Sequence, residues 1–139
     1  MKINVKVEDL FKKFKEWAEH QSQIKGVAIV GSFARGDFHC NSDVDFVIIS
    51  TNKEAMIKLI LSDFHYDAVH HFQLEEWGIL TSLRIFYENG LEVEYGIVTN
   101  EWVAEPLDEG TISVVDNGFL ILLDKEPIFS SIRLFLNKG

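Results

Sequence analysis

Two aspartates, Asp43 and Asp45, lie in a segment that otherwise has the composition of a buried strand. They open the run DVDFVIIS, residues 43–50, whose other members are mostly apolar. Alternate side chains share one face of a strand and advance by about 6.6 Å per pair, so both carboxylates point the same way, opposite to Val44 and Phe46. Like charges this close repel, and Mg²⁺ removes that cost because carboxylates and substrate phosphates are its usual ligands. The pair predicts a metal platform.

The loop before these aspartates contains residues suited to phosphate binding. The apolar run GVAIV ends in Gly31-Ser32, and ten residues separate Ser32 from Asp43. Gly31 permits a sharp turn and the close approach of a ligand, and Ser32 can present a hydroxyl group and backbone N–H groups to phosphate. Ordinary alternatives remain open: Ser32 as the N-cap of a short helix, and Ser42 with Asp43 as a solvated turn.

The elements that must position these residues alternate in type. Residues 26–30 and 43–50 read as buried strands, 53–62 as a helix, 118–123 as a last strand and 128–137 as a closing helix. An amphipathic helix is predicted within the first 24 residues, from the spacing of Val7, Leu10, Phe11, Phe14, Trp17 and Ala18.

Two further extended runs lie within residues 77–99 and meet at Asn89-Gly90, a strong hairpin signal. Residues 100–110 read as an acidic connection, and 111–116 fit no single element. The pattern predicts an α/β or α+β fold with a mixed sheet.

Composition narrows the classes of protein. The chain has 139 residues, 47% of them hydrophobic, and a formal net charge of −9. A chain of this length can bury roughly 68% of its unfolded surface in one core, so we expect one domain over residues 1–139. Its acidity is opposite to the basic surface that a phosphodiester backbone requires, so nucleic acid is not expected as a partner unless a basic protein joins the chain.

Compartment and redox state follow from what the sequence lacks. Cys40 is the only cysteine, so no internal disulfide is expected. The start MKINVKVEDL has no apolar leader, and no apolar run reaches the roughly 18 to 20 residues of a membrane span. We expect a cytoplasmic protein that does not enter a membrane.

Gly-Ser, ten residues and Asp-x-Asp together resemble the signature of the DNA polymerase β-like nucleotidyltransferase superfamily. The wider stretch from about residue 17 to 127 is similar to its minimal nucleotidyltransferase-domain proteins. The resemblance implies a nucleotidyltransferase fold and Mg²⁺ binding by Asp43 and Asp45, with two ions when nucleotide is bound. It also implies that Ser32 helps hold a nucleoside triphosphate and that a third acidic residue lies on a later strand.

Two glutamates compete for that third position. Glu92 and Glu94 share one face of a strand, but Glu92 lies near the hairpin tip, where a solvated glutamate is ordinary. Glu94 lies deeper and matches the family's pattern of an acidic residue between apolar ones. We therefore predict Asp43, Asp45 and Glu94 as catalytic and metal-binding residues. A salt bridge to Arg84 across the hairpin is the alternative for either glutamate.

The predicted nucleotide site consists of Gly31, Ser32, Arg35 and Ser42. Arginine's planar guanidinium suits phosphate oxygens, although a surface pair between Arg35 and Asp37 is the alternative. The expected reaction moves a nucleoside monophosphate, AMP from ATP above all, to a hydroxyl of a small molecule or a partner protein and releases pyrophosphate.

Two other functions stay open. One is an antitoxin-like module that binds, and can adenylylate, a helical HEPN-type toxin. The other is a nucleotide-binding module without turnover. The brevity of the chain suggests that a helical partner or a second copy completes the cleft. The acceptor, the preferred base and the oligomeric state do not follow from the sequence.

Overall fold

The computed structural model of the protein describes residues 4–39 and 41–138. A mixed α/β arrangement of six strands and five α-helices is seen there, with one 3-10 helix at Asn100–Val103. The elements in chain order are α1 Val5–Glu19, β1 Ile24–Val30, α2 Ser32–Arg35, β2 Val44–Ser50, α3 Lys53–Asp63, β3 Val69–Trp77, β4 Leu80–Tyr87, β5 Glu92–Val98, α4 Glu109–Asp116, β6 Phe119–Asp124 and α5 Ser130–Lys138.

The strands form one sheet in the order β3-β4-β5-β2-β1-β6. Its central pair, β2 and β5, is parallel, and every other neighbouring pair is antiparallel. The predicted fold class, with a mixed sheet, is therefore confirmed. The parallel pair requires a long crossover, which α3, β3 and β4 provide.

The sheet is covered differently on its two faces. On one face, side chains of β2, β4 and β5 pack with α1 and α3 in an aromatic-rich core that includes Phe14, Phe46 and Tyr95. On the other face, a smaller core forms where Trp102, Val115 and Phe129 cover part of the sheet. The part of this second face outside the smaller core contains the acidic residues.

Local chemistry explains where the longer helices begin. The side chain of Asn4 accepts a hydrogen bond from the Lys6 N–H at the start of α1, and Asn52 does the same for the Ala55 N–H at the start of α3. Such caps satisfy backbone donors that the helix itself leaves unpaired.

The hairpin prediction is confirmed, with a shift at one end. Strands β4 and β5 are antiparallel and joined through Asn89-Gly90, where Gly90 has φ 93°. However, β4 begins at Leu80, and Trp77 belongs instead to β3, a strand that the sequence did not predict. Residues 111–116, left unassigned from sequence, lie in α4.

Candidate active site

The acidic residues meet where the parallel strands β2 and β5 begin. In the register of this pair, Asp45 lies opposite Glu94 and Val44 lies opposite Val93. Neighbouring strands are about 4.8 Å apart, so side chains in register on one face are adjacent. Val44 and Val93 are fully buried on the opposite face, as alternation requires. The fold therefore brings Asp45 and Glu94 together from positions 49 residues apart, as sequence number shows.

Asp45 lies in an environment that favours its neutral form. Burial raises the pKa of its carboxyl from 3.8 to about 8, with further contributions from a hydrogen bond with Asp43 and from the charges of Asp43 and Glu94. Burial also raises the pKa of Glu94, while the neighbouring Arg84 opposes that rise. In this site, ionisation of the carboxyl groups is unfavourable unless a cation is bound nearby.

Gly31 forms the wall behind Asp45. It adopts φ 75° and ψ −149°, a conformation that side-chain-bearing residues rarely take. A Cβ atom at this position would lie 2.6 Å from the Asp45 Oδ2 atom. A residue without a side chain is required here both by the backbone turn and by the close approach of the carboxylate.

Ser32 is the first residue of α2, and Gly31 occupies the N-cap position without a side-chain cap. The alternative role of Ser32 as the N-cap of this helix is therefore wrong. The Gly31 carbonyl accepts hydrogen bonds from the Ala34 and Arg35 N–H groups, which closes the turn between β1 and α2. Because β1 is antiparallel to β2, with Val30 opposite Asp45, this turn lies beside the acidic residues.

Arg35 and Ser42 are engaged with neighbouring groups. Arg35 Nε donates to Asp37 at 3.0 Å and Nη1 donates to the Asn117 carbonyl at 2.8 Å. The Ser42 hydroxyl accepts from the His39 N–H at 2.8 Å, in a tight turn just before Asp43. The surface pair with Asp37, considered from the sequence as an alternative for Arg35, is therefore present.

Arg84 is the residue whose importance the sequence understated. Its guanidinium contacts Asp43 at 3.2 Å, contacts both Glu92 and Glu94, and lies 4.0 Å from Glu75. The salt bridge from Arg84 across the hairpin, considered from the sequence as the alternative for either glutamate, is present for both, and Arg84 lies directly opposite Glu94. The contact with Glu75 was not accessible from the sequence, because β3 was not predicted.

The donor chemistry of the acidic residues fits Mg²⁺. Asp43 and Asp45 provide adjacent carboxylate oxygens, the ligands that this hard cation prefers, and the missing Cβ of Gly31 lets the Asp45 carboxylate lie against the turn. Glu94 is next to Asp45 but is held by Arg84. Within residues 4–39 and 41–138, no group of three or more His, Cys, Asp or Glu side chains is already arranged to hold a metal ion.

Comparison with known proteins places the chain in a class. A family model described as the nucleotidyltransferase domain matches residues 10–104, which is more than half of the chain. The matched segment contains the Gly31-Ser32 turn, the aspartate pair and Glu94. The chain belongs to the nucleotidyltransferase domain family.

The chain was also compared with solved structures and with curated proteins. A solved aminoglycoside 6-adenyltransferase from Bacillus subtilis is similar in structure, with a TM-score of 0.49 and 14% sequence identity. The similarity covers 83% of this chain and 40% of the adenyltransferase, so this chain matches less than half the length of that protein. No curated protein matches the chain in sequence.

Every helix in the described part of the chain is too short or too polar to cross a bilayer.

Proposed function

We propose that this chain is a Mg²⁺-dependent nucleotidyltransferase that moves a nucleoside monophosphate, AMP from ATP, to a hydroxyl group and releases pyrophosphate. The observation that carries the proposal is the meeting of Asp43, Asp45 and Glu94 at the start of the parallel strands, next to the Gly31-Ser32 turn. Family membership supports nucleotidyl transfer as the type of reaction.

Asp43, Asp45 and Glu94 would hold the metal ions. A Mg²⁺ ion held there would supply positive charge to the triphosphate and would lower the pKa of the attacking hydroxyl. The acceptor oxygen bonds to the α-phosphorus while the bond from that phosphorus to the bridging oxygen breaks, and pyrophosphate leaves with that bonding pair. Glu94 takes the acceptor's proton or directs it to solvent, because it is the acidic group on the strand opposite the aspartates.

Ser32 and Gly31 position the triphosphate. Ser32 directly follows Gly31, which lies against the Asp45 carboxylate, so its hydroxyl group and backbone N–H are the donors that we assign to the β- and γ-phosphate oxygens. Ser42 contributes its hydroxyl hydrogen, since its oxygen already accepts from His39. Arg35 can join only by exchanging Asp37 for a phosphate, and its contact with the Asn117 carbonyl keeps it at the edge of the loop.

The acceptor is a small molecule or a partner protein. The net charge of −9 disfavours a nucleic acid chain as the acceptor. The test is incubation of the protein with each α-labelled nucleoside triphosphate and Mg²⁺, with cell lysate as the acceptor source. We expect label from ATP to appear on one acceptor, and Asp45→Asn to abolish it. Triphosphate binding without any transfer would instead support a nucleotide-binding module without turnover.

A second candidate function is partner binding, with transfer secondary, as in an antitoxin-like module that binds a helical toxin. Strand β3 at the sheet edge favours it, because Phe72, Leu74 and Trp77 expose 47%, 52% and 63% of their surface. Exposed apolar side chains grouped on one strand are typical of interaction surfaces. The same surface would serve a second copy of this chain.

Sedimentation separates these possibilities. A partner-binding role predicts that Phe72→Ser with Leu74→Ser loses the association, whether with another protein or with itself. Asp45→Asn should retain that association and lose only transfer. If the two serine substitutions change neither assembly nor binding, the surface of β3 is not an interface.

A further inference from the structure

Arg84 contacts acidic residues on two strands, β3 and β5, and on the segment before β2. From β4, its Nη1 contacts Asp43 and Glu92, its Nη2 contacts Glu94, and its Nε lies 4.0 Å from Glu75 on β3. Only 21% of the Arg84 side chain is exposed, so this is a partly buried network and not a surface pair. Such networks are screened less by salt than exposed pairs are.

One guanidinium cannot balance the charge around it. Four carboxylates contact Arg84, and the Asp45 carboxyl, whose neutral form burial favours, lies beside them. Even without Asp45, the formal negative charges of these four exceed the single positive charge of Arg84. The remaining charge is what a bound divalent cation would neutralise. Arg84 thus supplies part of the positive charge that the site requires.

Arg84 also contacts the residues that the metal would use. Asp43 comes from the β2 side and Glu94 from β5, and the guanidinium contacts both. A guanidinium and a metal ion that share these carboxylates repel each other. Glu92 and Glu75 are not needed for the metal and can keep the guanidinium paired after it leaves Glu94.

We propose that Arg84 is a resident counter-cation: it holds Asp43 and Glu94 before metal binds, and it moves from Glu94 toward Glu92 and Glu75 when the metal–nucleotide complex enters. This rests on the proposed function, because it takes Asp43, Asp45 and Glu94 as the metal-binding residues. Arg84 is a positioning residue under this proposal. It lowers the repulsion in the metal-free site and competes with the metal.

Two opposite effects follow from removing its charge. Arg84→Gln should bind Mn²⁺ more tightly, by on the order of tenfold, because the competing cation is gone. The same variant should melt at a lower temperature in EDTA, because the four carboxylates that contact Arg84 then lack a counter-charge. Mn²⁺ should restore its melting temperature. A purely structural arginine would give the loss of stability without the gain in metal affinity.

The experiment is an Mn²⁺ titration followed by electron paramagnetic resonance, without nucleotide, on the whole chain. Arg133→Gln is the matched control, since Arg133 pairs with Asp124 at 3.0 Å and contacts none of the five acidic residues. We expect Arg133→Gln to bind Mn²⁺ as the parent does. Equal or weaker Mn²⁺ binding by Arg84→Gln would overturn the proposal.

A second variant covers a failure to fold. If Arg84→Gln is unfolded in EDTA, the double variant Arg84→Gln with Glu92→Gln is used, because it removes one negative charge together with the positive one. Its Mn²⁺ affinity is compared with that of Glu92→Gln, and tighter binding by the double variant is the expected result.

The proposed function is tested in the same series by Asp45→Asn. If the parent and Asp45→Asn bind Mn²⁺ equally, the metal site itself is wrong. If the parent binds Mn²⁺ more tightly than Asp45→Asn does, but Arg84→Gln binds no more tightly than the parent, only the proposed role of Arg84 is wrong.

Discussion

The two halves of the strand pair β2 and β5 have opposite chemistry on the same face of the sheet. Asp45 and Glu94, toward the start of each strand, are only partly buried and are held by polar contacts. Val47 and Val98, further along, are 2% and 0% exposed. The smaller core that contains Trp102 and Phe129 covers this second half.

This difference shows how a short chain builds a site and its support from the same strands. The apolar half contributes to stability through burial, at roughly 25 cal/mol per Å². The acidic half carries charges that burial disfavours, and the adjacent apolar packing holds them in register. The site is therefore located on the part of this face that lies outside the smaller core.

Moving a carboxylate into the apolar half should have the largest effect. Val47→Asp places an unpaired charge two residues after Asp45, on the same face of β2, at a position where the native side chain is 2% exposed. We expect a loss of more than about 4 kcal/mol in the free energy of unfolding, enough to unfold much of the protein. Circular dichroism melting checks this, with Val47→Ala as the control for lost volume. If Val47→Asp melts at the same temperature as Val47→Ala, water reaches this half of the face.

Within the acidic half, substitution of Glu94 and substitution of Glu92 should have different effects on transfer. Glu94→Gln is expected to lower transfer by on the order of 10² to 10⁴ while nucleotide binding changes little, because under the proposed function it removes the group that acts on the attacking oxygen. Glu92→Gln should transfer almost normally, since Glu92 contacts Arg84 but does not lie opposite Asp45. Turnover with the identified acceptor, and nucleotide affinity, are measured for both variants. Loss of transfer in Glu92→Gln alone would move the third carboxylate to Glu92.

The metal-free protein should become less stable as pH rises from about 4 to about 8. The pKa of Asp45 is about 8 in the folded protein against an ordinary 3.8, so in this interval the folded state keeps a proton that the unfolded state has released. Each rise in pH within the interval therefore favours unfolding, by about 1 to 3 kcal/mol in total after allowance for solvent screening.

Asp45→Asn lacks this titration and provides the comparison. Urea melts of both proteins in EDTA should converge at acid pH and diverge as pH rises, with the variant the more stable of the two. Parallel curves from pH 4 to 8 would mean that Asp45 is ionised throughout, as it would be if well solvated.

Much of the acidic half could be predicted from the sequence. Alternation in DVDFVIIS predicted Asp43 and Asp45 on one side of a strand, although β2 begins at Val44, directly after Asp43. Asn89-Gly90 predicted the hairpin that contains Glu94. Both patterns are local, and local patterns survive folding when one side of a strand must be buried. The roles of these residues nevertheless remain predictions.

The rest depended on information that no local pattern contains. Strand β3 has no buried face, since nearly all of VHHFQLEEW is exposed, so it lacks the alternation that identifies a strand. The parallel pairing of β2 with β5 joins segments that are distant in sequence. Arg35 bonds to the Asn117 carbonyl across 82 residues, and Arg84 reaches Asp43 across 41. Such contacts follow from sheet order, which the sequence alone left open.

Calorimetry shows whether the acidic half of this face binds a metal–nucleotide complex. ATP is titrated into the parent and into Asp43→Asn with Asp45→Asn, each in Mg²⁺ and in EDTA. We expect Mg²⁺ to strengthen ATP binding to the parent, and we expect the double variant, although folded, to lose this gain. Equal affinity of the parent for ATP in Mg²⁺ and in EDTA would contradict this expectation.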